Sequence, residues 1–198
     1  MRPAPFVIAI VALLGSLGWC RPGWAADVTA GKALAEGCAG CHGAEGISDT
    51  PLTASLAAEP DEYTQWQLVY FRSGARKGEV MNSIAQALSN EDIRNLGAYY
   101  ASLAPPKPQP PDAADALAQF GGKLAALHRC QNCHSQDYSG FRAAGRLAGQ
   151  REDVLLKALH DFKSGARIGS GVASMSDVVY SLNETDMRAL AHYMATLR

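Results

Sequence analysis

Apolar residues in this chain recur at helical spacing, and no stretch alternates apolar and polar residues as a half-buried strand does. The clearest case is Ile93, Leu96, Tyr99, Tyr100 and Leu103, which share one helical face. Ser89 or Asn90 is placed to cap that helix, which must end before Pro105. Upstream, the pattern predicts a short helix over 29–37. A longer one follows over 62–73, with Asp61 as its cap and Gly74 as a left-handed stop. The second half predicts the same set: a helix ahead of Cys130, one over 152–164 stopped by Gly165, and one over 184–197. The expected fold class is all-α.

One segment departs from this periodicity. The run from Phe6 to Trp19 is almost uniformly apolar, follows Arg2 and leads to Gly23-Trp24-Ala25-Ala26. Its 14 residues fall short of the ~20 that a membrane-spanning helix needs. A charged start, a short apolar middle and small residues at the end predict a cleaved secretory signal peptide over 1–26 rather than a retained anchor. Trp19 before Cys20 argues against lipoprotein processing, which prefers a small residue there.

The remaining pattern is written twice. Phe71-Arg-Ser-Gly-Ala-Arg76 returns as Phe162-Lys-Ser-Gly-Ala-Arg167, and the helix beginning at Asp92 returns from Asp186. Between the copies lies Ala104-Pro-Pro-Lys-Pro-Gln-Pro-Pro111, which cannot continue a helix and favours a stiff, extended spacer. The expected organisation is one domain over 27–104, a proline-rich linker over 105–111 and a second domain over 112–198. Each half is too small to be stable by ordinary packing alone, so a buried cofactor is expected to supply part of each core. Charge is uneven. Residues 27–104 hold five Lys and Arg against ten Asp and Glu, whereas 112–198 hold ten against nine. An acidic half and a near-neutral half are expected to dock different partners. No basic patch with interleaved aromatics suggests nucleic acid.

The cysteines carry the chemistry. Apart from Cys20, all of them lie in Cys38-Ala-Gly-Cys41-His42 and Cys130-Gln-Asn-Cys133-His134. Such pairs could close small disulfides in an oxidising compartment or form half of a zinc site. Neither explains the His at the same place in both. Cys-x-x-Cys-His is a haem c attachment site. Cys38, Cys41, Cys130 and Cys133 would form thioethers to the porphyrins, and His42 and His134 would ligate the irons. For the second axial position the candidates are Met81 and Met175, which match each other between the copies in glycine-flanked loops. Met187 and Met194 correspond to Ile93 and Tyr100 and are expected in the core. His128, His160 and His192 have no histidine counterpart in the first half and are expected at or near the surface. Arg76 and Arg167 could pair with haem propionates, and Tyr63 and Trp66 could line the first haem.

On these motifs each half resembles a class I cytochrome c domain, and the tandem resembles the dihaem cytochrome c4 family over nearly all of 27–198. The resemblance implies two haem c groups and single-electron transfer between respiratory redox partners in the periplasm. A membrane oxidase, a cytochrome complex or a dehydrogenase would be the partner, and peripheral membrane association is compatible with it. It also implies that the first and last helices of each half cross at small residues, with Gly31 and Gly122 against the region of Tyr99 and Tyr193. The family usually carries Pro two residues before the Leu of a Leu-Ala-Gly-Gln run, and its carbonyl accepts a hydrogen bond from the axial His. Here Ala54 and Gly145 stand at those places, Pro51 is a second candidate acceptor, and the first copy of the run reads Leu56-Ala-Ala-Glu59. The glycine-rich stretch after the motif is kept in part as Gly43-Ala-Glu-Gly46 and nearly lost after His134. An iron with both axial positions filled suits electron carriage. A dihaem peroxidase would need an open iron, and a thiosulfate-oxidising enzyme with Cys ligation would need a cysteine, and none is left over after export removes Cys20. A fixed electron-transfer subunit of a dehydrogenase or oxidase complex is the nearer alternative.

Overall fold

Five helices build the first half: α1 (Val28–Ala35), α2 (Ala39–His42), α3 (Asp61–Ser73), α4 (Glu79–Gln86) and α5 (Asn90–Ala101). The second half repeats them as α6 (Ala116–Leu127), α7 (Gln131–His134), α8 (Glu152–Ser164), α9 (Val172–Tyr180) and α10 (Glu184–Thr196). This computed structural model describes residues 25–108, 116–167 and 172–197. Nearly all of the leader expected over 1–26 and the end of the proline spacer therefore lie outside the described residues. Within them there are no strands, only two isolated β-bridges, and no helix is long and apolar enough to cross a membrane.

The long helices end where their punctuation requires. Gly74 and Gly165 stop α3 and α8 with φ of 75° each, a left-handed conformation that costs glycine little. Ser89 caps α5 and Asn183 caps α10, each in a reciprocal capping box with Asp92 or Asp186. Asp61 does not cap α3. Pro60 holds that position, and the Asp61 carboxylate instead accepts a hydrogen bond from Gln65 Nε2 at 2.8 Å. The sequence pattern gave no warning of α4 and α9. Both are short, and α4 starts after Gly78 with no side-chain cap, so the usual start signal is absent there.

In each half the first helix packs across the last. A Cβ at Gly31 would lie 2.1 Å from the Asn95 carbonyl oxygen, and one at Gly121 2.1 Å from that of Ala189. The backbones touch at both points, and only glycine leaves room. The second crossing is therefore at Gly121 rather than Gly122, which lies against the Tyr193 ring. Ala35, Leu96, Tyr99 and Tyr100 are buried around the first crossing. The second holds a larger apolar group including Leu124, Tyr138, Leu155, Leu182, Met187, Leu190 and Met194. Met187 and Met194 are thus core residues.

The loop after each Cys-x-x-Cys-His keeps its backbone although it loses its glycines. Gly43 (φ 80°) is matched by Ser135 (φ 71°), and Gly46 (φ 71°) by Tyr138 (φ 58°). The carbonyl of Gly46 accepts from Leu56 and Ala57 N–H, and that of Tyr138 from Leu147 and Ala148. Side-chain volume is exchanged across the core. Tyr100 packs against Gly46, whereas the large ring of the second half is Tyr138 itself and the position of Tyr100 is Met194.

Candidate functional site

Each Cys-x-x-Cys-His ends in one turn of helix, α2 or α7, that closes on its histidine. His42 Nδ1 lies 2.8 Å from the carbonyl oxygen of Ala54, and His134 Nδ1 lies 2.8 Å from that of Gly145. A carbonyl only accepts, so Nδ1 carries the hydrogen and Nε2 keeps its lone pair for a metal. Burial lowers both imidazole pKa values, partly opposed by these hydrogen bonds, and favours the neutral, ligating form. Pro51 is not the acceptor; its carbonyl takes the Thr53 hydroxyl. All four cysteines are free. Cys38 and Cys130 are half-buried, and Cys41 and Cys133 are exposed.

Met81 and Met175 do not sit in loops. Met81 lies in the first turn of α4 and Met175 within α9, both half-buried. Met175 packs against the second core. The other histidines sit among acidic side chains or near the surface. His160 Nε2 is 2.8 Å from Glu184 Oε2, and His192 Nδ1 is 2.8 Å from Glu152 Oε2.

The remaining singled-out residues gather where the halves meet. Arg76 and Arg167 pair as an antiparallel β-bridge, and each guanidinium lies 4.5 Å above a phenylalanine ring, Phe71 or Phe162. Arg167 donates to the Tyr63 hydroxyl at 3.0 Å and to Gln67 Oε1 at 2.8 Å, and Arg76 donates to Gln67 Oε1 at 2.7 Å. Burial, and then the positive charge of Arg167, lower the Arg76 pKa to about 10. Tyr63 thus belongs to the interface. Trp66 points elsewhere, 44% exposed and stacked on Tyr70.

The same interface holds two mirrored contacts, one with a reciprocal pair of hydrogen bonds and one with a single bond. Ser55 N–H donates to Gln150 Oε1 at 2.9 Å, and Gln150 Nε2 donates to the Ser55 carbonyl at 2.8 Å. In the mirrored position Arg146 N–H donates to Glu59 Oε2 at 2.8 Å. Ser55 matches Arg146 and Glu59 matches Gln150, so the contact is isologous, as between copies related by a two-fold axis. Arg151 and Asp153 extend it, reaching the Ser48 carbonyl and the Leu52 N–H. Sequence reasoning missed Glu59 and Gln150 as interface residues. Their only signal is a matched place at the end of Leu56-Ala-Ala-Glu59 and Leu147-Ala-Gly-Gln150.

These donor sets fit a haem c in each half. Paired free thiols can form two thioethers, an oriented imidazole offers Nε2, and two crowded guanidiniums, Arg167 buried and Arg76 half-buried, suit anionic propionates. A model of the family described as "Cytochrome c" matches residues 28–104. Cytochrome c4 of Pseudomonas aeruginosa is 33% identical over 95% of this chain and 98% of its own. The chain belongs to the cytochrome c4 family. The crystal structure of reduced recombinant cytochrome c4 from Pseudomonas stutzeri superposes with a TM-score of 0.81 at 29% identity, covering 88% of this chain and all of that one. A protein of Thiomonas intermedia named thiosulfate dehydrogenase electron acceptor is 32% identical over 95% of this chain and 89% of its own. The chain is accordingly an all-α tandem of cytochrome c domains that carries two haem c groups and is an electron carrier among redox protein partners rather than an enzyme.

Proposed function

We propose that Cys38 and Cys41, and Cys130 and Cys133, hold the two haems, with His42 and Met81 as axial ligands of the first iron and His134 and Met175 of the second. The haem supplies a one-electron couple when bound. The chain keeps each imidazole neutral and oriented, and an iron with both axial positions filled changes charge with little rearrangement. The observation that carries this reading is the pair of 2.8 Å bonds that fix the Nδ1 hydrogens of His42 and His134. Such a bond to the far ring nitrogen sets the tautomer and raises the basicity of the ligating nitrogen. Arg76 and Arg167 neutralise propionates between the halves.

The test is a haem count by mass together with the sulfur-to-iron charge-transfer band of the oxidised protein. Two haems and two Met-ligated centres are expected. Met81→Ala and Met175→Ala should each remove about half of the band and lower the potential of one haem only. An unchanged band in either variant overturns that assignment.

The domain limits follow the repeat: 27–104, a linker over 105–111, and 112–198. The leader over 1–26 directs export to the periplasm, where N-terminal sequencing of the mature protein should begin near Asp27. Similarity to a thiosulfate dehydrogenase electron acceptor supports a dehydrogenase as the donor, and the respiratory reading supports a terminal oxidase as the acceptor. The acidic first half and the near-neutral second half dock different partners. Raising salt should slow transfer to one partner more than to the other; equal slowing would overturn this.

A further inference from the structure

Each axial histidine is bonded to a peptide group whose other end reaches across the interface. The Gly145 carbonyl that accepts from His134 Nδ1 belongs to the same amide as the Arg146 N–H that donates to Glu59 Oε2. The Ala54 carbonyl that accepts from His42 Nδ1 shares its amide with the Ser55 N–H that donates to Gln150 Oε1. One planar amide in each half thus connects a ligand of its own haem to a side chain of the other half. A hydrogen bond at one end of an amide polarises the group and strengthens the bond at its other end. The two relays share their geometry and differ in charge: a neutral amide, Gln150, ends the first and a carboxyl group, Glu59, ends the second.

We propose that Glu59 of the first half is a positioning residue for the haem of the second, acting on His134 through the Gly145–Arg146 amide, and that its carboxylate takes up a proton when that haem is reduced. Ionised, Glu59 draws on the Arg146 N–H, makes the Gly145 carbonyl a stronger acceptor and gives His134 more imidazolate character, which favours ferric iron. Protonated, it releases that pull and favours ferrous iron. Reduction by one electron from a redox partner is therefore accompanied by transfer of a proton from water to Glu59, and oxidation returns both.

The surroundings place this exchange in the working range. Glu59 is buried, 4% exposed, and burial raises its carboxyl to about 7 against the opposing pull of Arg146, Arg167 and the Gln150 side chain. Arg76 faces it from the same interface, with Tyr63 and Asp161 acting on that guanidinium. Gln150, at the mirrored place, has no proton to exchange.

The inference rests on His134 being an iron ligand, as proposed above. It is tested by following both reduction potentials of the haem-loaded protein against pH, with Met175→His used to identify the wave of the second haem. In the wild type the potential of the second haem should fall as pH rises through about 7, while that of the first stays flat. The proton affinity of Glu59 should differ on the order of tenfold between the two redox states, equivalent to a total fall of about 59 mV. Glu59→Gln should abolish the slope, and Gln150→Glu should create one on the first haem. A slope that persists in Glu59→Gln, one shared equally by both haems as titrating propionates would give, or no slope in the wild type overturns the proposal. The low-spin spectrum of the same samples reports separately on ligation. An His134→Ala protein with an unchanged spectrum would overturn the ligand reading itself.

Discussion

The two halves of this chain trace the same backbone with different side chains at its most constrained points. Gly43 and Gly46 give way to Ser135 and Tyr138 at left-handed positions, Ala54 gives way to Gly145 behind the motif histidine, and Glu59 gives way to Gln150 at the interface. The bonds accepted by the Gly46 and Tyr138 carbonyls and those made by the two motif histidines survive these exchanges. What differs is strain, volume and charge. The second half supports its loop with the Ser135 hydroxyl, which donates to the Gly140 carbonyl at 2.8 Å, and with the larger apolar core around Tyr138. The first half relies on glycine in the loop and ends its side of the mirrored contact with the carboxyl group of Glu59, where the second half has the amide of Gln150. A duplicated scaffold can therefore hold two haems alike and still give them different surroundings.

The largest test concerns what the halves share. Gly31→Ala and Gly121→Ala each drive a Cβ into a carbonyl oxygen at 2.1 Å. Each should cost about 3 kcal/mol or more, read from denaturant unfolding, and a clear difference between the two would show that the crossings are not equivalent.

The next test concerns charge. The Glu59 carboxyl is raised to about 7 from its usual 4.5, so the stability that it contributes is complete below about 4.5 and is lost as pH rises through 7. Glu59→Gln removes that loss. It should match the wild type in acid and exceed it above neutrality, by about 3 kcal/mol at most at 1.36 kcal/mol per pH unit. Gln150→Glu should show the opposite trend. Parallel stability–pH curves for wild type and Glu59→Gln would remove the asymmetry.

A smaller effect separates Ala54 from Gly145. A Cβ at Gly145 would lie 2.7 Å from the Tyr63 ring, so Gly145→Ala must displace that ring and weaken its bond to Arg167. The expected cost is about 1–3 kcal/mol. Ala54→Gly relieves no such contact in the mirrored place, because the counterpart of Tyr63 is Val154. Smallest of all, Ser135→Gly should relieve a backbone conformation (φ 71°, ψ 163°) that only glycine adopts freely. Losing the Ser135 hydroxyl bond offsets part of the gain, so a net stabilisation of about 1 kcal/mol is expected from thermal unfolding. Net destabilisation would mean that the hydroxyl bond outweighs the strain.

By itself the sequence determined the elements with local causes. Helical periodicity, the Ser89 and Asn183 caps and the glycine stops at 74 and 165 act within a few residues, so α3, α5, α8 and α10 were legible to within a residue or two. The paired Cys-x-x-Cys-His motifs were legible for the same reason: thioether attachment and ligation need those residues side by side. Their repeat gave two domains. The tertiary structure decided whatever depends on contact between distant segments. It put the helix crossing at Gly121 and not Gly122, because only the facing Ala189 carbonyl distinguishes two adjacent glycines. It put Met81 and Met175 on short helices, the first of which starts after Gly78 without the side-chain cap that announces a helix. It also joined His134 to Glu59 and His42 to Gln150, since an amide linking two domains is a matter of packing, and nothing in either stretch of sequence refers to the other.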